Sequence, residues 1–179
     1  MEPQVVLDFW FKELTPQQHF EKNADLDATI TTRFKEVHRQ IAAGEMNDWR
    51  QTIHGRLAEI IVLDQFSRNM FRGTPASFAY DSLALILAQE ALKQTDLSLL
   101  SVEEKAFLYL PFMHSESAKI HEVAVTLFSE AGLENNLDFE HRHFEIIKQF
   151  GRYPHRNEIL GRISTPAEIE FLKGPNSSF

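Results

Sequence analysis

Leu26, Ile30, Phe34, Val37 and Ile41 are spaced 4, 4, 3 and 4 residues apart. That interval places them on one face of an α-helix. Similar spacing runs through most of the chain, and no segment alternates apolar with polar residues for long enough to make a strand. An all-α protein is expected, with a first short helix carrying Val5, Val6, Phe9 and Trp10 and closing before Thr15-Pro16. Gly44 is a natural stop for the second helix. A third helix follows Asn47-Asp48 and runs to about Arg72, where Gly73-Thr74-Pro75 ends it. Asp81 caps a fourth. Ser101 and Glu104 form the capping box of a fifth, which Pro111 must kink or stop. A sixth is expected from about Glu116 to Ala131 with Gly132 as its stop, and a seventh over 137–150 ending at Gly151. Asn157 opens a short turn of helix, and Thr165-Pro166 with Glu168 supplies cap, first-turn proline and acid for the last. Short connections make successive helices antiparallel hairpins, roughly seven to nine helices in all. No linker or composition shift divides the chain, so residues 1–173 are expected to be one domain, followed by a flexible tail at 174–179. A period of about 34 residues is absent, so no tetratricopeptide array is legible as a repeat.

Composition narrows the function classes. The chain has 179 residues and no cysteine, which excludes disulfides, thiolate metal sites and a cysteine nucleophile and suits a reducing cytoplasm. The opening MEPQVVLDFWFKEL lacks the basic region of a signal peptide, and no apolar run reaches about 18 residues, the length of a membrane span. A cytoplasmic location is therefore expected. The net charge of −8 repels nucleic acid and anionic membranes. Residues 141–162 nevertheless carry +3, leaving −11 on the remainder. A local basic patch on an acidic protein suits a small anion better than a polyanion. Cations that compensate a helix C-terminus account for part of it.

The stretch IIVLDQFSRNMFR, residues 60–72, reads as the centre of a buried helix, yet it carries Asp64, Arg68 and Asn69. At about 100° per residue, Asp64 and Arg68 fall within roughly 20° of Leu57 on the helix wheel. They are also four apart with the acid first, the favourable order for pairing. A charge pair in an apolar helix must be satisfied internally. It serves either as a pin for helix register or as part of a site. Gln65 and Asn69 lie on the flank of that stripe, and Glu59 faces away from it.

Two further segments concentrate chemistry. In FLYLPFMHSES, residues 107–117, Pro111 interrupts an apolar run directly before His114, Ser115 and Glu116. Ser115 or Ser117 can cap the next helix with Glu116 as a first-turn acid, which leaves His114 unexplained. In HRHFEIIKQFGRYPHRNEILGR, residues 141–162, His143 shares a face with Ile146, Ile147 and Phe150. Arg152, His155, Arg156 and Asn157 then crowd a tight turn. Guanidinium forks beside a helix start suit a carboxylate or phosphate.

With these motifs in view, the chain resembles the uncharacterised bacterial family catalogued as domain of unknown function 924. The likeness runs from VLDFWF at 6–11 to STPAEIEFL at 164–172. It is carried by LDQFSRNMFRGT (63–74), FLYLPFMHSE (107–116) and FGRYPHRNEILGR (150–162). The resemblance implies a tetratricopeptide-like fold of helical hairpins and brings no reaction with it. By motif position it marks Asp64, Gln65, Arg68, Asn69, Tyr109, His114, Glu116, His143, Arg152, His155, Arg156 and Asn157. The family often has proline where this chain has Ser67, which implies a local bend in the third helix.

The resulting expectation is a buried polar site for a small anionic molecule. His114, Glu116 and His143 would do acid–base work, and Asp64, Gln65, Arg68, Asn69, Tyr109, Arg152, His155, Arg156 and Asn157 would bind. No nucleophile motif is present and no cofactor is implied. His114, Glu116 and His143 are types that suit zinc or iron, but no H-E-x-x-H spacing accompanies them and no metal is assigned. The alternative is a tetratricopeptide-like module that binds a peptide or protein partner in a groove.

Overall fold

Local chemistry sets where the helices begin. A computed structural model of the chain describes residues 1–175 and 177, and every regular element among them is helical. These include α1 (Pro3–Asp8), α2 (Ala24–Ala42), α3 (Ile53–Ile61), α4 (Ser67–Met70), α5 (Asp81–Gln94), α6 (Val102–Met113), α7 (Ala118–Phe128), α8 (Glu134–Phe150) and α9 (Pro166–Leu172). The Asn23 side chain accepts the amides of Asp25 and Leu26 at the head of α2, satisfying donors that a helix start leaves orphaned. Thr52 does the same for Gly55 at α3. The capping boxes expected at Ser101/Glu104 and Thr165/Glu168 both form. Gly151 ends α8 in the left-handed conformation, φ 68°, where a side chain would be strained.

The chain divides into two compact units, residues 1–72 with 76–111 and residues 73–75 with 112–179. In the first, α1 packs on α3, α3 on α5, and α2 on α4. Its core is aromatic: Phe34 lies 4.9 Å from Phe9 and 4.8 Å from Phe66, and Trp10 lies 5.5 Å from Phe66 and from Phe107. In the second, α7 and α8 pack along each other across a short connection, which makes them a helical hairpin. Ile146, Ile147 and Tyr153 form its buried cluster, with Phe150 and Phe171 against it.

The third helix differs from the expected straight one. Residues 47–51 form a separate 3-10 turn, and Val62–Phe66 form a π-helical turn between α3 and α4. A π turn inserts an extra residue and resets the faces beyond it. The local departure implied at Ser67 thus takes the form of a widened turn. Ser67 Oγ donates to the Leu63 carbonyl at 2.6 Å and accepts from His38 Nε2 at 2.8 Å. Pro111 sits inside α6, which stops two residues later. Asp81 is the first residue of α5 but does not cap it, because its carboxylate is taken by Arg68. The sixth helix starts at Ala118 rather than Glu116 and ends at Phe128. The flexible tail expected at 174–179 falls partly on Asn176, Ser178 and Phe179, which lie outside the described residues. Within it, the Gly174 amide donates to Phe171, and buried Ser177 donates to the Leu172 carbonyl at 3.2 Å.

Candidate functional site

In the first unit, Asp64 is 1% exposed, so the polar stripe of the central helix is interior. The expected Asp64–Arg68 pair is looser than a straight helix implies. Arg68 Nη1 lies 3.3 Å from Asp64 Oδ1 and donates to the Asp64 carbonyl at 2.6 Å. Its bidentate partner is Asp81, at 2.9 and 3.0 Å. The π turn moves Arg68 off the stripe and leaves it partly exposed. Gln65 donates to Asp64 Oδ2 at 2.6 Å. Asn69 belongs to another network, donating to Asp27 beside Arg72. Tyr109 is fully buried. Glu59 is buried too and is held by Arg50 at 2.7 and 2.8 Å.

In the second unit the turn at 113–117 and the segment 150–164 meet, although about 40 residues separate them in sequence. Glu116 Oε1 accepts the Tyr153 amide at 2.7 Å. Arg162 closes on both oxygens of the same carboxylate at 2.7 and 2.9 Å and adds the Tyr153 carbonyl at 3.0 Å. Arg162 Nε donates to Asn157 Oδ1 at 2.9 Å, and Asn157 Nδ2 donates to Ser164 Oγ at 3.0 Å. Burial alone would raise the Glu116 pKa. The bonds from Arg162 and the Tyr153 amide, with the charges of Arg156 and Arg162, outweigh that and lower it. Glu116, read from the sequence as a first-turn acid and as one of the acid–base candidates, has its carboxylate tied between the two loops.

Arg156 is 6% exposed. Its Nη2 donates to the His114 carbonyl at 3.0 Å, and its guanidinium lies 4.7 Å over the Tyr153 ring. The Tyr153 hydroxyl donates to the Met113 carbonyl at 2.5 Å. His143 Nδ1 donates to the Phe139 carbonyl at 2.7 Å, so Nε2 carries the ring's lone pair. Burial, together with the nearby His114, His121 and His155, drives the His143 pKa down to about 3, against the Phe139 bond. His143 is therefore neutral at ordinary pH. The Tyr153 ring lies 5.7 Å from His143 and 5.6 Å from His155. Arg152 points into a different arrangement: it pairs with Glu168 at 2.6 and 2.8 Å and with the Ile163 carbonyl at 2.9 Å. That pair walls an open groove of about 470 Å³ lined also by Gln149, Phe150, Thr165 and Ala167. Because the pair is closed on itself, the groove presents little net charge. Among the described residues, no three His, Cys, Asp or Glu side chains are placed to share a metal ion.

Sequence reading missed His121, Glu140 and Arg162. His121 lies at the 3 and 7 spacing with Ala124 and Phe128, and Glu140 at the same spacing with His143 and Ile147. The rule that put His143 on an apolar face therefore covers both. Their pairing across the hairpin, Nδ1 to Oε1 at 2.6 Å, has no signature in the linear chain.

Among the described residues no helix is long and apolar enough to cross a membrane. No curated protein matches the chain. The structure of a protein of unknown function, ATU0120 from Agrobacterium tumefaciens, superposes with a TM-score of 0.91 at 36% identity, covering 96% of this chain and 97% of that one. The family model described as bacterial protein of unknown function (DUF924) matches residues 6–176, and the chain belongs to that family.

Proposed function

We propose that the protein binds a small anionic molecule in its C-terminal unit and can exchange a proton with it. Arg156 would hold the anionic group, and His143 with His114 and His155 would carry the proton. The observation behind this reading is the company the Tyr153 ring keeps: His143 at 5.7 Å, His155 at 5.6 Å and the buried Arg156 guanidinium 4.7 Å over its face. A buried guanidinium is a preformed positive charge, which favours an anion over a neutral guest. A neutral imidazole held in one tautomer presents a fixed acceptor, and an anion bound beside it raises its affinity for a proton. Arg152 is closed with Glu168 and Arg68 with Asp81, so both serve the fold in this reading.

The alternative, a tetratricopeptide-like groove for a peptide, needs its signature side chains on a solvent-facing surface. The burial of Asp64, His143, Arg156 and Asn157 weighs against it. Thermal unfolding with inorganic phosphate, acetate and malonate as probes tests the proposal. Binding at about 100 times Kd adds about 2.7 kcal/mol, or roughly 5–10 °C in a chain of this size. Arg156→Gln should abolish the shift. No shift in the wild type, or an equal shift in Arg156→Gln, refutes the proposal.

A further inference from the structure

His121 and Glu140 are the most deeply enclosed ionisable pair of the C-terminal unit, both 0% exposed. His121 Nε2 lies 2.8 Å from the Ser115 carbonyl. A carbonyl only accepts, so Nε2 bears a hydrogen. That hydrogen also faces the Tyr153 hydroxyl oxygen at 3.2 Å. On the other side, Nδ1 meets Glu140 Oε1 at 2.6 Å, a contact that requires one proton between nitrogen and oxygen. The second carboxyl oxygen, Oε2, is buried and meets no hydrogen-bond donor among the described residues. An ionised carboxylate with a bare buried oxygen is far more costly than a neutral carboxyl. Burial raises the Glu140 pKa, against the bond and charge of His121 and the charge of His141. Phe144 stacks on the imidazole at 5.3 Å and holds it in plane.

We propose that His121 and Glu140 share a single proton and act as a positioning pair, a latch that holds the Met113–Glu116 turn against Tyr153 and opens when that proton is lost at alkaline pH. Its relevance to ligand binding rests on the reading of this unit as the anion site. The latch itself stands on the contacts above. Ser115 lies between His114 and Glu116, so the imidazole fixes the backbone that presents both. Loss of the proton sets a carboxylate against the Nδ1 lone pair in the interior, and the contact becomes repulsive. The other titratable and charged groups around the pair are His141 and His143 on α8, His114 and Glu116 on the turn, and Tyr153, Arg156 and Arg162 beyond α8. Glu116 and Arg162 are paired with each other, and His143 is neutral.

The sign of the pH effect follows from proton counts. Unfolded, histidine and glutamate titrate near about 6.5 and 4.3, so above about pH 6.5 the unfolded pair holds no proton and the folded pair holds one. Stability therefore falls as pH rises there, by about tenfold in the folding constant per pH unit. Between about 4.3 and 6.5 both states hold one proton and the pair contributes no slope. The experiment compares urea unfolding of wild type and Glu140→Gln from pH 7 to 9. Glutamine can donate an amide hydrogen to Nδ1 and does not titrate, so the variant should fold and lose that tenfold slope. An unchanged slope overturns the latch. Nitrogen-15 spectra of wild-type His121 give a second readout, independent of whether the variant folds. With Nε2 protonated, an Nδ1 that also carries or shares a proton from pH 6 to 8 supports the latch, and an Nδ1 with a bare lone pair overturns it. Anion-induced thermal shifts are read separately. Loss of the slope without any anion shift leaves the latch standing and removes the proposed function, and the reverse result does the opposite.

Discussion

Removing the Glu116 carboxylate should loosen the C-terminal unit before it affects anything else. Three donors converge on it: the Tyr153 amide and both terminal nitrogens of Arg162. In Glu116→Ala the Tyr153 amide, on a residue that is 0% exposed, loses its acceptor. An unsatisfied buried donor costs about 1–3 kcal/mol. The ion pair adds less, because its partners are 23% and 27% exposed and solvent screens part of the attraction, leaving about 1 kcal/mol. The sum is about 2–4 kcal/mol. Glu116→Gln keeps an oxygen for Tyr153 but turns an amide donor toward Arg162, so about 1–2 kcal/mol is expected.

Urea unfolding measures this directly. At a slope of about 2 kcal/mol per molar, Glu116→Ala should lower the midpoint by about 1–2 M. Both tryptophans, Trp10 and Trp49, lie in the N-terminal unit, so fluorescence reports that unit while far-ultraviolet dichroism reports both. The dichroism midpoint should move more than the fluorescence midpoint. A double-mutant cycle with Arg162→Ala should return a coupling of about 1 kcal/mol. A midpoint shift under about 0.3 M, or no coupling, refutes the assignment of Glu116 as a tie between loops and returns it to the ligand chemistry expected from sequence.

Two further outcomes follow from the geometry. Gly55→Ala would ordinarily strengthen a helix by about 1 kcal/mol. Here a Cβ would lie 1.9 Å from the Trp49 carbonyl oxygen, so the substitution should instead cost at least about 2 kcal/mol in urea unfolding; a neutral or stabilised variant refutes the close approach. The second outcome is an acid-side loss of stability. The His38 and His143 pKa values are driven down to about 4 and about 3, mainly by burial, against about 6.5 unfolded. Both contributions are complete above about pH 6.5 and are lost as pH falls, at about 1.4 kcal/mol per unit for each histidine. Unfolding curves at pH 6.5 and 5 should differ by about 3 kcal/mol, and His143→Gln should remove about half of that difference.

Helix existence was legible because burial follows spacing: Leu26, Ile30, Phe34, Val37 and Ile41 are all interior. Starts at Ser101 and Thr165 were legible because capping is a local transaction between residues three apart. The π turn at Val62–Phe66 was less so. The periodicity of 60–72 fits a straight helix, and only the implied bend at Ser67 hinted otherwise. Arg68 pairs with Asp64 as its spacing implied, at 3.3 Å, but it also takes both oxygens of Asp81, and only the Asp81 cap is overturned. Glu116 and Arg162 stand 46 residues apart, and nothing in the spacing of either points to the other. Partner choice among charged groups is settled by tertiary approach, which one-dimensional patterns do not carry.

The three motifs therefore hold two kinds of polar residue. Arg68 with Asp81, Arg152 with Glu168 and Arg162 with Glu116 form bidentate ion pairs between segments 13 to 46 residues apart. Removing either partner of such a pair unsettles both segments, so these residues are explained by architecture. The imidazoles of His114, His121, His143 and His155 are different. A stable hairpin does not need four of them together. Architecture explains His121, through Ser115 and Glu140. It does not explain why His143 sits neutral in a unit that also buries Arg156, when an apolar side chain at 143 would pack against Tyr153 without the desolvation cost. On the proposed reading, that arrangement would serve a guest with a negative charge and a mobile proton.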